Sequence, residues 1–361
     1  MKLHGGLLVK GMDMTVAIIG AGMAGAAAAS TLQNAGVKVE VFDKGRSVGG
    51  RMSSKRATAG YLDLGAQYFT ARSRAFQQQV EHWLAAGMVT RWQARFFRYQ
   101  HAQLSASADD QTRFVGAPSM QTPVKALLAD VKTHLNCRIS RLHFVATPAV
   151  NGAASSASGW YLYDEKNQCF GPYQALLLTL PPVQLQTLLA TASGHTDNLQ
   201  TDLNDLLRQL QSQALLPCWA VNLQLAQPLQ TAADAVFVKE GNISWLARQN
   251  SKPGRAGEYE SWLVHFSPQC SALYLDAAPA QLATLAKAEL ELIFDQPLRV
   301  NDALCHRWLY AQVNPTVRQQ PLAGSAGLNL AIAGDWVFGG RVENAWLSGV
   351  AAAKEVMVYV S

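Results

Sequence analysis

The sequence predicts an α/β protein built around a nucleotide-binding domain, and three observations carry that prediction. The apolar run Val16–Ile19 is typical of a buried strand, and Gly20-Ala-Gly-Met-Ala-Gly25 follows it as a glycine turn. The alanine-rich segment 26–35 then favours a helix, and a second strand at 37–42 ends in Asp43. Strand, glycine turn, helix, strand and terminal acid are the order of a dinucleotide-binding βαβ unit.

Each part of this motif has a physical reason. The first glycine allows the tight turn, the second lets backbone approach a pyrophosphate, and the third lets the helix pack on the strand. The helix N-terminus favours an anion, and the acid is placed to bind a ribose diol. The candidate cofactor-binding residues here are Gly20, Gly22, Met23, Ala24, Gly25, Asp43 and Lys44. At this point either NAD or FAD fits the motif.

Length and charge limit the function classes. A chain of 361 residues exceeds one ordinary core, so we expect two domains. Lys and Arg number 30 against 25 for Asp and Glu, giving a formal charge of +5 with no basic run. Nucleic acid is therefore not an expected partner, whereas a phosphate-bearing small molecule suits the mild positive charge.

The cysteines indicate a cytoplasmic protein. Five cysteines are scattered without a CxxC pair, which is typical of a reducing compartment. The most apolar window, 17–32, is too short and too rich in glycine to span a membrane. Residues 1–13 lack the features of a signal peptide, and Met14 is an alternative start. We expect no membrane partner and no metal, since no metal-ligand spacing such as HExxH occurs.

A second pair of motifs follows Asp43. Gly49-Gly-Arg-Met52 contains a glycine pair with an arginine behind it, and Asp63-Leu-Gly-Ala-Gln-Tyr68 comes shortly after. A domain that binds only NAD has no need of this second glycine pair and its arginine. Together these motifs resemble those of the flavin amine oxidase superfamily, and their residues look like those of its renalase-like branch. The Gly-x-Pro-x-Met arrangement at 116–120 is similar to that branch too.

The resemblance implies which residues lie along FAD. They are Gly50, Arg51, Met52, Gln67 and Tyr68, and Tyr68 is also a candidate catalytic residue. A guanidinium can neutralise a pyrophosphate, and a Gly-Gly turn lets backbone amides approach it. The alternative for Arg51 is an ion pair on the surface.

The middle of the chain alternates between helical and strand patterns. Helices are expected at 72–84 and 123–135, and strands at 90–100, 138–145, 159–163 and 174–180, with a small-residue loop at 151–158. Trp92, Phe96, Phe97 and Tyr99 are expected in the core, with substrate contact as the alternative. The apolar run 174–180 is typical of a buried parallel strand. By resemblance Leu142 lies near the adenine; the alternative is an ordinary core leucine.

Residues 183–310 predict a sheet carrying helices. Helical stretches occur at 183–190, 199–213 and 279–294, and strands at 218–225, 235–238, 243–247 and 261–266. This part of the chain would cover the flavin. The segment 308–312 would form a strand that leads back to the nucleotide-binding domain. His265 matches a histidine of renalase-like chains and is a candidate catalytic residue, although a lone histidine on a strand is commonly a core residue.

The last motif is a strand ending in Gly334-Asp335, followed by the start of a final helix near Asn344 and Ala345. In the family the carboxylate meets the ribityl chain, and the helix N-terminus faces the pyrimidine end of the flavin. Reduced flavin carries negative charge there, which a helix N-terminus stabilises. These four residues complete the candidate FAD site. FAD is expected without a covalent link, because the Ser-Gly-Gly-Cys context of covalent amine oxidases is missing and Cys305 stands alone.

The resemblance implies a fold class and domain limits. The fold is expected to be α/β, with a Rossmann-like FAD-binding domain of the glutathione-reductase and amine-oxidase type and an inserted α+β substrate domain with a mixed sheet. Residues 14–75, 136–182 and 305–361 would form the FAD-binding domain, and 76–135 and 183–304 the substrate domain.

The resemblance also implies an activity. Renalase-like enzymes oxidise isomeric dihydronicotinamide nucleotides and pass the electrons through FAD to O2. The substrate would be a 2- or 6-dihydro-NAD(P), acted on by a monomer or homodimer. Hydride leaves a dihydropyridine without a strong base, and no Ser/His/Asp or Cys/His set stands out. An amine oxidase or another flavin dehydrogenase is the alternative, and a non-catalytic flavin-binding redox sensor is a second one.

Overall fold

The computed structural model describes residues 14–57, 60–108, 110–146, 158–195, 198–255, 257–316 and 324–359. The expectations for residues 1–13 and for nearly all of the 151–158 loop lie outside these ranges.

The described strands, in chain order, are β1 (Thr15–Ile19), β2 (Lys38–Phe42), β3 (Ser54–Ala57), β4 (Gly60–Asp63), β5 (Val89–Arg91), β6 (Phe96–Gln100), β7 (Gln103–Ala106), β8 (Phe114–Gly116), β9 (Lys132–His134), β10 (Ile139–Val145), β11 (Gly159–Asp164), β12 (Cys169–Tyr173), β13 (Ala175–Leu178), β14 (Ser193–His195), β15 (Leu215–Leu225), β16 (Ala235–Val238), β17 (Ile243–Arg248), β18 (Ser261–Phe266), β19 (Val300–Val313) and β20 (Leu330–Ile332). The α-helices are α1 (Met23–Asn34), α2 (Arg74–Ala85), α3 (Thr122–Leu127), α4 (Pro182–Leu189), α5 (Leu199–Gln211), α6 (Pro268–Leu273), α7 (Pro279–Phe294) and α8 (Val342–Tyr359).

A five-stranded parallel sheet forms the nucleotide-binding domain. Its strand order is β20-β13-β1-β2-β9, with β1 in the centre. The apolar run expected at 174–180 forms β13, whose side chains are buried throughout. Helices α1 and α8 pack on each other, and a Cβ on Gly349 would lie 2.1 Å from the Ala24 carbonyl oxygen. Both the mixed α/β class and the Rossmann-like domain are confirmed.

One expected helix is wrong in its second half. Helix α3 ends at Leu127 instead of reaching residue 135, and β9 follows it on the edge of the nucleotide sheet. Glu40 of β2 explains the difference, because its carboxylate accepts hydrogen bonds from Lys132 (2.9 Å) and His134 (2.8 Å). Pairing with an open sheet edge therefore outweighs the local helical pattern.

A four-stranded sheet with the order β12-β11-β10-β14 returns the chain to the nucleotide domain. Strands β10, β11 and β12 pair in antiparallel fashion, as a meander does. Its inner face and the helices α4 and α5 enclose a second hydrophobic core that includes Leu142 and Trp160, both fully buried.

A seven-stranded mixed sheet forms the other half of the molecule, in the order β19-β15-β18-β17-β16-β6-β7. One face packs on α7 through residues such as Trp262 and Leu290. Residues directly opposite each other on neighbouring strands share a face. The register therefore places one row across the other face: Phe237, Trp245, His265, Ala220 and His306.

The expected domain limits stay a prediction, and the pairing of two strands differs from what those limits imply. Strand β9 falls in the segment 76–135 but pairs with the nucleotide sheet. Strand β19 begins before residue 305 and pairs with β15 of the seven-stranded sheet along its length. The chain therefore returns to the nucleotide sheet before residue 135, and it leaves the seven-stranded sheet only after residue 305.

Candidate functional site

Two glycine turns meet at the N-terminus of helix α1. The Gly49 N–H donates to the Ala21 carbonyl at 2.8 Å, which holds the Gly49-Gly50 turn against the first glycine turn. Gly50 has a φ of +52°, a left-handed conformation that suits glycine. A Cβ on Gly50 would lie 3.4 Å from the Gly22 Cα. The two motifs that the sequence shows separately thus form one backbone surface.

This surface fits a pyrophosphate. A Cβ on Gly22 would meet no atom within 4 Å, so the backbone there borders open space. No side chain caps helix α1, and its first turn contains no acidic residue. Uncapped helix N–H groups beside an open glycine backbone are the donor set that an anionic phosphate requires. By contrast, a Cβ on Gly25 would lie 1.9 Å from the Gly20 carbonyl oxygen, so the third glycine serves close packing.

Arg51 is paired with Asp335. Its guanidinium contacts both carboxylate oxygens of Asp335, and its Nη1 also donates to the Ala311 carbonyl at 3.1 Å. The Asp335 side chain is 10% exposed and that of Arg51 is 32% exposed, so the pair differs from the surface ion pair considered as an alternative. Two residues predicted to contact neighbouring parts of the cofactor, the pyrophosphate and the ribityl chain, therefore lie together.

The predicted ribose acid is already bonded to backbone. Asp43 accepts hydrogen bonds from the N–H groups of Ala21 (2.7 Å) and Gly45 (2.6 Å), and its side chain is half-buried. It therefore fixes the glycine turn, and a carboxylate has lone pairs left for a further donor. The neighbouring Lys44 is exposed. Met23, Ala24 and Met52 are buried around the same turns, whereas Leu142 lies in the second core.

The start of helix α8 is held by Glu343, an acid that is not among the predicted site residues. Glu343 is 3% exposed, and its carboxylate accepts from the N–H groups of Arg72 and Ser73 (2.6 Å for the shortest contact). Asn344 donates to the Phe338 carbonyl at 2.5 Å, and Ala345 is half-buried. The Gly334 N–H donates to Ser348 Oγ at 3.0 Å. These contacts fix the end of β20 against α8.

The segment Asp63–Tyr68, hereafter the connecting loop, lies between the two sheets. The Leu64 carbonyl accepts hydrogen bonds from His265 Nε2 and Trp308 Nε1, each at 2.9 Å. The Ala66 N–H donates to the Arg51 carbonyl at 2.9 Å. The loop therefore touches the predicted cofactor site at one end and the seven-stranded sheet at the other.

A buried ionic network anchors this loop. Asp63 accepts from Lys252 Nζ at 3.2 Å and from the Arg255 guanidinium at 2.9 Å, and all three side chains are fully buried. Ser54 also donates to Asp63 at 2.6 Å. Gln67 Oε1 accepts from Lys252 at 2.8 Å, so Gln67 serves the network. Two cations thus face one carboxylate.

The network shifts the acidity of its members. Burial raises the pKa of Asp63, but Lys252 and Arg255 outweigh burial and hold that pKa below its usual value. Burial lowers the pKa of Lys252 to about 8; Asp63 opposes this decrease, and Arg255 adds to it. At neutral pH the three side chains carry a net positive charge, since only one carboxylate is present.

His265 is neutral at physiological pH. Burial lowers its pKa to about 4, the hydrogen bond to Leu64 opposes this decrease, and the charge of Lys252 adds to it. In the neutral ring the Nε2 that contacts the Leu64 carbonyl must carry the proton, because a carbonyl only accepts. His265 therefore acts as a donor that holds the connecting loop.

Tyr68 belongs to an aromatic cluster. Its ring centroid lies 5.5 Å from that of Trp245 and 6.2 Å from that of Trp92. Phe96 and Phe237 complete the group, which we call the aromatic cluster. Trp92 is buried and Phe96 is half-buried, whereas Phe97 and Tyr99 belong to the core against α7. The aromatic positions expected at 90–100 thus divide between two environments.

Several of these residues carried no signal in the sequence. Lys252 and Arg255 flank Pro253-Gly254 and resemble an ordinary turn. Arg113, whose Cζ lies 3.9 Å from the ring centroid of Phe96 in the aromatic cluster, precedes a short strand without a motif. Among the described residues no group of three or more His, Cys, Asp or Glu side chains could hold a metal ion. In the same ranges no helix has the length and hydrophobicity needed to cross a membrane.

The fold and the glycine-rich site define a dinucleotide-binding α/β protein. Residues 18–85 match a family of NAD(P)-binding Rossmann-like domains, and residues 71–357 match the flavin containing amine oxidoreductases. The second match covers most of the chain, so the protein belongs to the flavin-containing amine oxidoreductase family. Membership implies a flavin cofactor, which the open Gly22 backbone and the uncapped helix α1 fit.

Two solved structures share the fold. A protein assigned as a protoporphyrinogen oxidase from Exiguobacterium sp. 255-15 superposes with a TM-score of 0.72 at 12% identity, covering 96% of this chain and 99% of its own. Cyclohexylamine oxidase from Brevibacterium oxydans IH-35A superposes with a TM-score of 0.69 at 13% identity, covering 97% of this chain and 100% of its own. At these identities the likeness concerns the fold.

Proposed function

We propose that the protein is an FAD-dependent oxidase of the renalase type that converts 2- or 6-dihydro-NAD(P) to NAD(P)+. FAD held in this site would supply the redox chemistry, which is hydride uptake at N5 and transfer of the electrons to O2 to give H2O2. Gly22, the N-terminus of α1 and Arg51 would bind the pyrophosphate, and Asp335 the ribityl chain. Asp43 would meet the ribose, and the start of α8 the pyrimidine end.

The observation that carries the choice of substrate is the charge of the buried network. Lys252 and Arg255 outnumber Asp63 beside Gln67 and Tyr68. A protonated amine is a cation, and an excess of buried positive charge disfavours it because like charges repel strongly where water is excluded. A dihydropyridine ring is neutral and its nucleotide phosphates are anionic, so this charge favours it.

The state of His265 supports the same choice. An ammonium group must lose a proton before hydride can leave the adjacent carbon, whereas the ring nitrogen of a dihydropyridine already drives hydride release. His265 uses its Nε2 proton to bind Leu64, and Asp63 is held by two cations. The residues around Tyr68 thus orient a substrate and exclude water, and deprotonation of the substrate is unnecessary.

A non-covalent cofactor and a cytoplasmic location complete the proposal. The Cys305 thiol donates to the Pro279 carbonyl at the start of α7. Val221, the cross-strand partner of Cys305, belongs to the core against α7, on the face of the sheet opposite His265. Cys305 therefore lies on the face away from the connecting loop, which supports a cofactor bound without a covalent link. All five cysteines are free, which supports a reducing compartment.

Anaerobic reduction of the bound flavin tests the proposal. We expect isomeric dihydronicotinamide nucleotides to bleach the flavin absorbance within seconds, while cyclohexylamine and benzylamine leave it unchanged. The amine oxidase alternative is favoured by the family match alone. Rapid bleaching by an amine, with none by the dihydronicotinamides, would establish that alternative and refute the proposal.

A further inference from the structure

The aromatic cluster contains a cation that belongs to the protein. The Cζ atom of Arg113 lies 3.9 Å from the ring centroid of Phe96, 5.1 Å from that of Tyr68 and 5.4 Å from that of Phe237. Arg113 is 4% exposed. A guanidinium within about 6 Å of three ring centroids occupies the position that a ligand cation takes in an aromatic cage.

The backbone fixes Arg113 in this position. The Trp92 N–H donates to the Arg113 carbonyl at 2.8 Å, and Arg113 Nη1 donates to the Gln111 carbonyl at 3.2 Å. The next residue, Phe114, exchanges two backbone hydrogen bonds with Phe69, which directly follows Tyr68. Arg113 and the connecting loop are therefore held in register with each other.

The cluster faces the side of the sheet where the connecting loop lies. Phe237, Trp245 and His265 are cross-strand neighbours, so they share one face. His265 on that face binds the Leu64 carbonyl, and Trp245 contacts the Tyr68 ring. Two further cations approach the cluster from its edges: Lys252 Nζ lies 5.3 Å from the Trp92 centroid and Lys239 Nζ 5.6 Å from the Phe237 centroid.

We propose that Arg113 is a specificity-determining residue, whose guanidinium fills the cation-binding position of the aromatic cluster and thereby excludes protonated amines from the site. An electron-rich cluster of five rings would otherwise attract an ammonium group. With Arg113 in place, a neutral planar ring can still pack on the half-buried ring of Tyr68. The inference rests on the proposed function in one respect, that Tyr68 lies beside the substrate.

Tetramethylammonium chloride is a suitable probe, because its charge is permanent and it forms no hydrogen bonds. Its binding to the flavin-loaded protein is followed by tryptophan fluorescence, with sodium chloride keeping the ionic strength constant. Arg113→Ala opens the position, and Arg113→Lys keeps a cation in it. The matched control is Arg141→Ala, because the exposed Arg141 places its Cζ 3.7 Å from the ring centroid of Tyr163 on a different sheet.

We expect Arg113→Ala to bind tetramethylammonium at least tenfold more tightly than the wild type, Arg113→Lys and Arg141→Ala do. Equal affinity in Arg113→Ala and the wild type would overturn the inference. If Arg113→Ala does not fold, the wild-type titration decides: saturable binding in the millimolar range would contradict a filled cation position, and its absence would support one.

Direct binding keeps this test separate from the proposed function. If the wild type fails to oxidise dihydronicotinamides but Arg113→Ala gains cation binding, the proposed function is wrong, whereas the filling of the cation position by Arg113 stands. If dihydronicotinamides are oxidised and Arg113→Ala gains nothing, the proposed function stands and the role of Arg113 is wrong.

Discussion

The ionic network of Asp63, Lys252 and Arg255 predicts an unequal response to two substitutions. Asp63→Asn removes the carboxylate and leaves two buried cations without a counter-charge. Lys252→Met leaves the Asp63–Arg255 pair intact at 2.9 Å, and Gln67 Oε1 keeps its contact with Gln249 Nε2 at 3.4 Å. The loss of the acid should therefore be far more harmful than the loss of the lysine.

The expected magnitudes follow from burial. Removing one partner of a fully buried ion pair costs about 3–5 kcal/mol of unfolding free energy. We expect the lower value, about 3 kcal/mol, for Asp63→Asn, because Lys252 already has a lowered pKa and can release its proton. For Lys252→Met we expect about 1 kcal/mol or less, since an apolar side chain replaces an excess charge.

Urea denaturation of the flavin-free protein at pH 7, followed by circular dichroism, measures both effects. The matched control is Asp205→Asn, because Asp205 pairs with Arg208 on the surface, where the side chains are 52% and 70% exposed. This control should change the unfolding free energy by about 0.5 kcal/mol or less. Equal destabilisation by Asp63→Asn and Lys252→Met, or a larger effect of Lys252→Met, would refute the argument from charge imbalance.

Three further predictions concern the cofactor site and its pH dependence. Gly22→Ala should lower the flavin content of the purified protein at least tenfold, because the added Cβ would fill the open space proposed for the pyrophosphate. The unfolding midpoint of the flavin-free form should not change, since that Cβ meets no protein atom. Gly25→Ala should lower the midpoint as well, because its Cβ would lie 1.9 Å from the Gly20 carbonyl oxygen. Asp335→Ala removes the partner of Arg51 and the proposed ribityl contact, so the protein should purify without colour, and a fully yellow variant would show the assignment to be wrong. Between pH 6.5 and about 4, His265 is protonated in the unfolded state but not in the folded state. The free energy of unfolding should therefore decrease as the pH falls through this window, by up to about 1.4 kcal/mol per pH unit. His265→Gln should abolish that part of the pH dependence.

The nucleotide-binding half was predictable because its determinants are local. Strand β1, the glycine turn and helix α1 follow within twenty residues, and the buried run of β13 has the apolar pattern of a parallel strand. Helix α3 was predicted too long because the pairing of β9 depends on Glu40, which lies 92 residues before Lys132. A window of the sequence contains no information about such a partner.

The candidate site divides in the same way. Gly22, Gly50, Arg51 and Asp335 belong to motifs, and the structure places them together. Lys252 could not be predicted, because its partner Asp63 is 189 residues away and its own neighbours resemble a surface turn. The role of Arg113 is equally hidden, since it depends on rings contributed by the connecting loop and by strands β6, β16 and β17.

The shared acceptor at Leu64 limits how the molecule can move. His265 and Trp308 come from different strands of the seven-stranded sheet, yet both bind the same carbonyl oxygen. Moving that sheet about 1 Å directly away from Leu64 would lengthen both 2.9 Å contacts beyond hydrogen-bond range. Separating the connecting loop from the seven-stranded sheet would therefore break both hydrogen bonds at once, at a net cost of about 1–3 kcal/mol. A ligand that enters by rearrangement of side chains and surface loops would leave both hydrogen bonds intact.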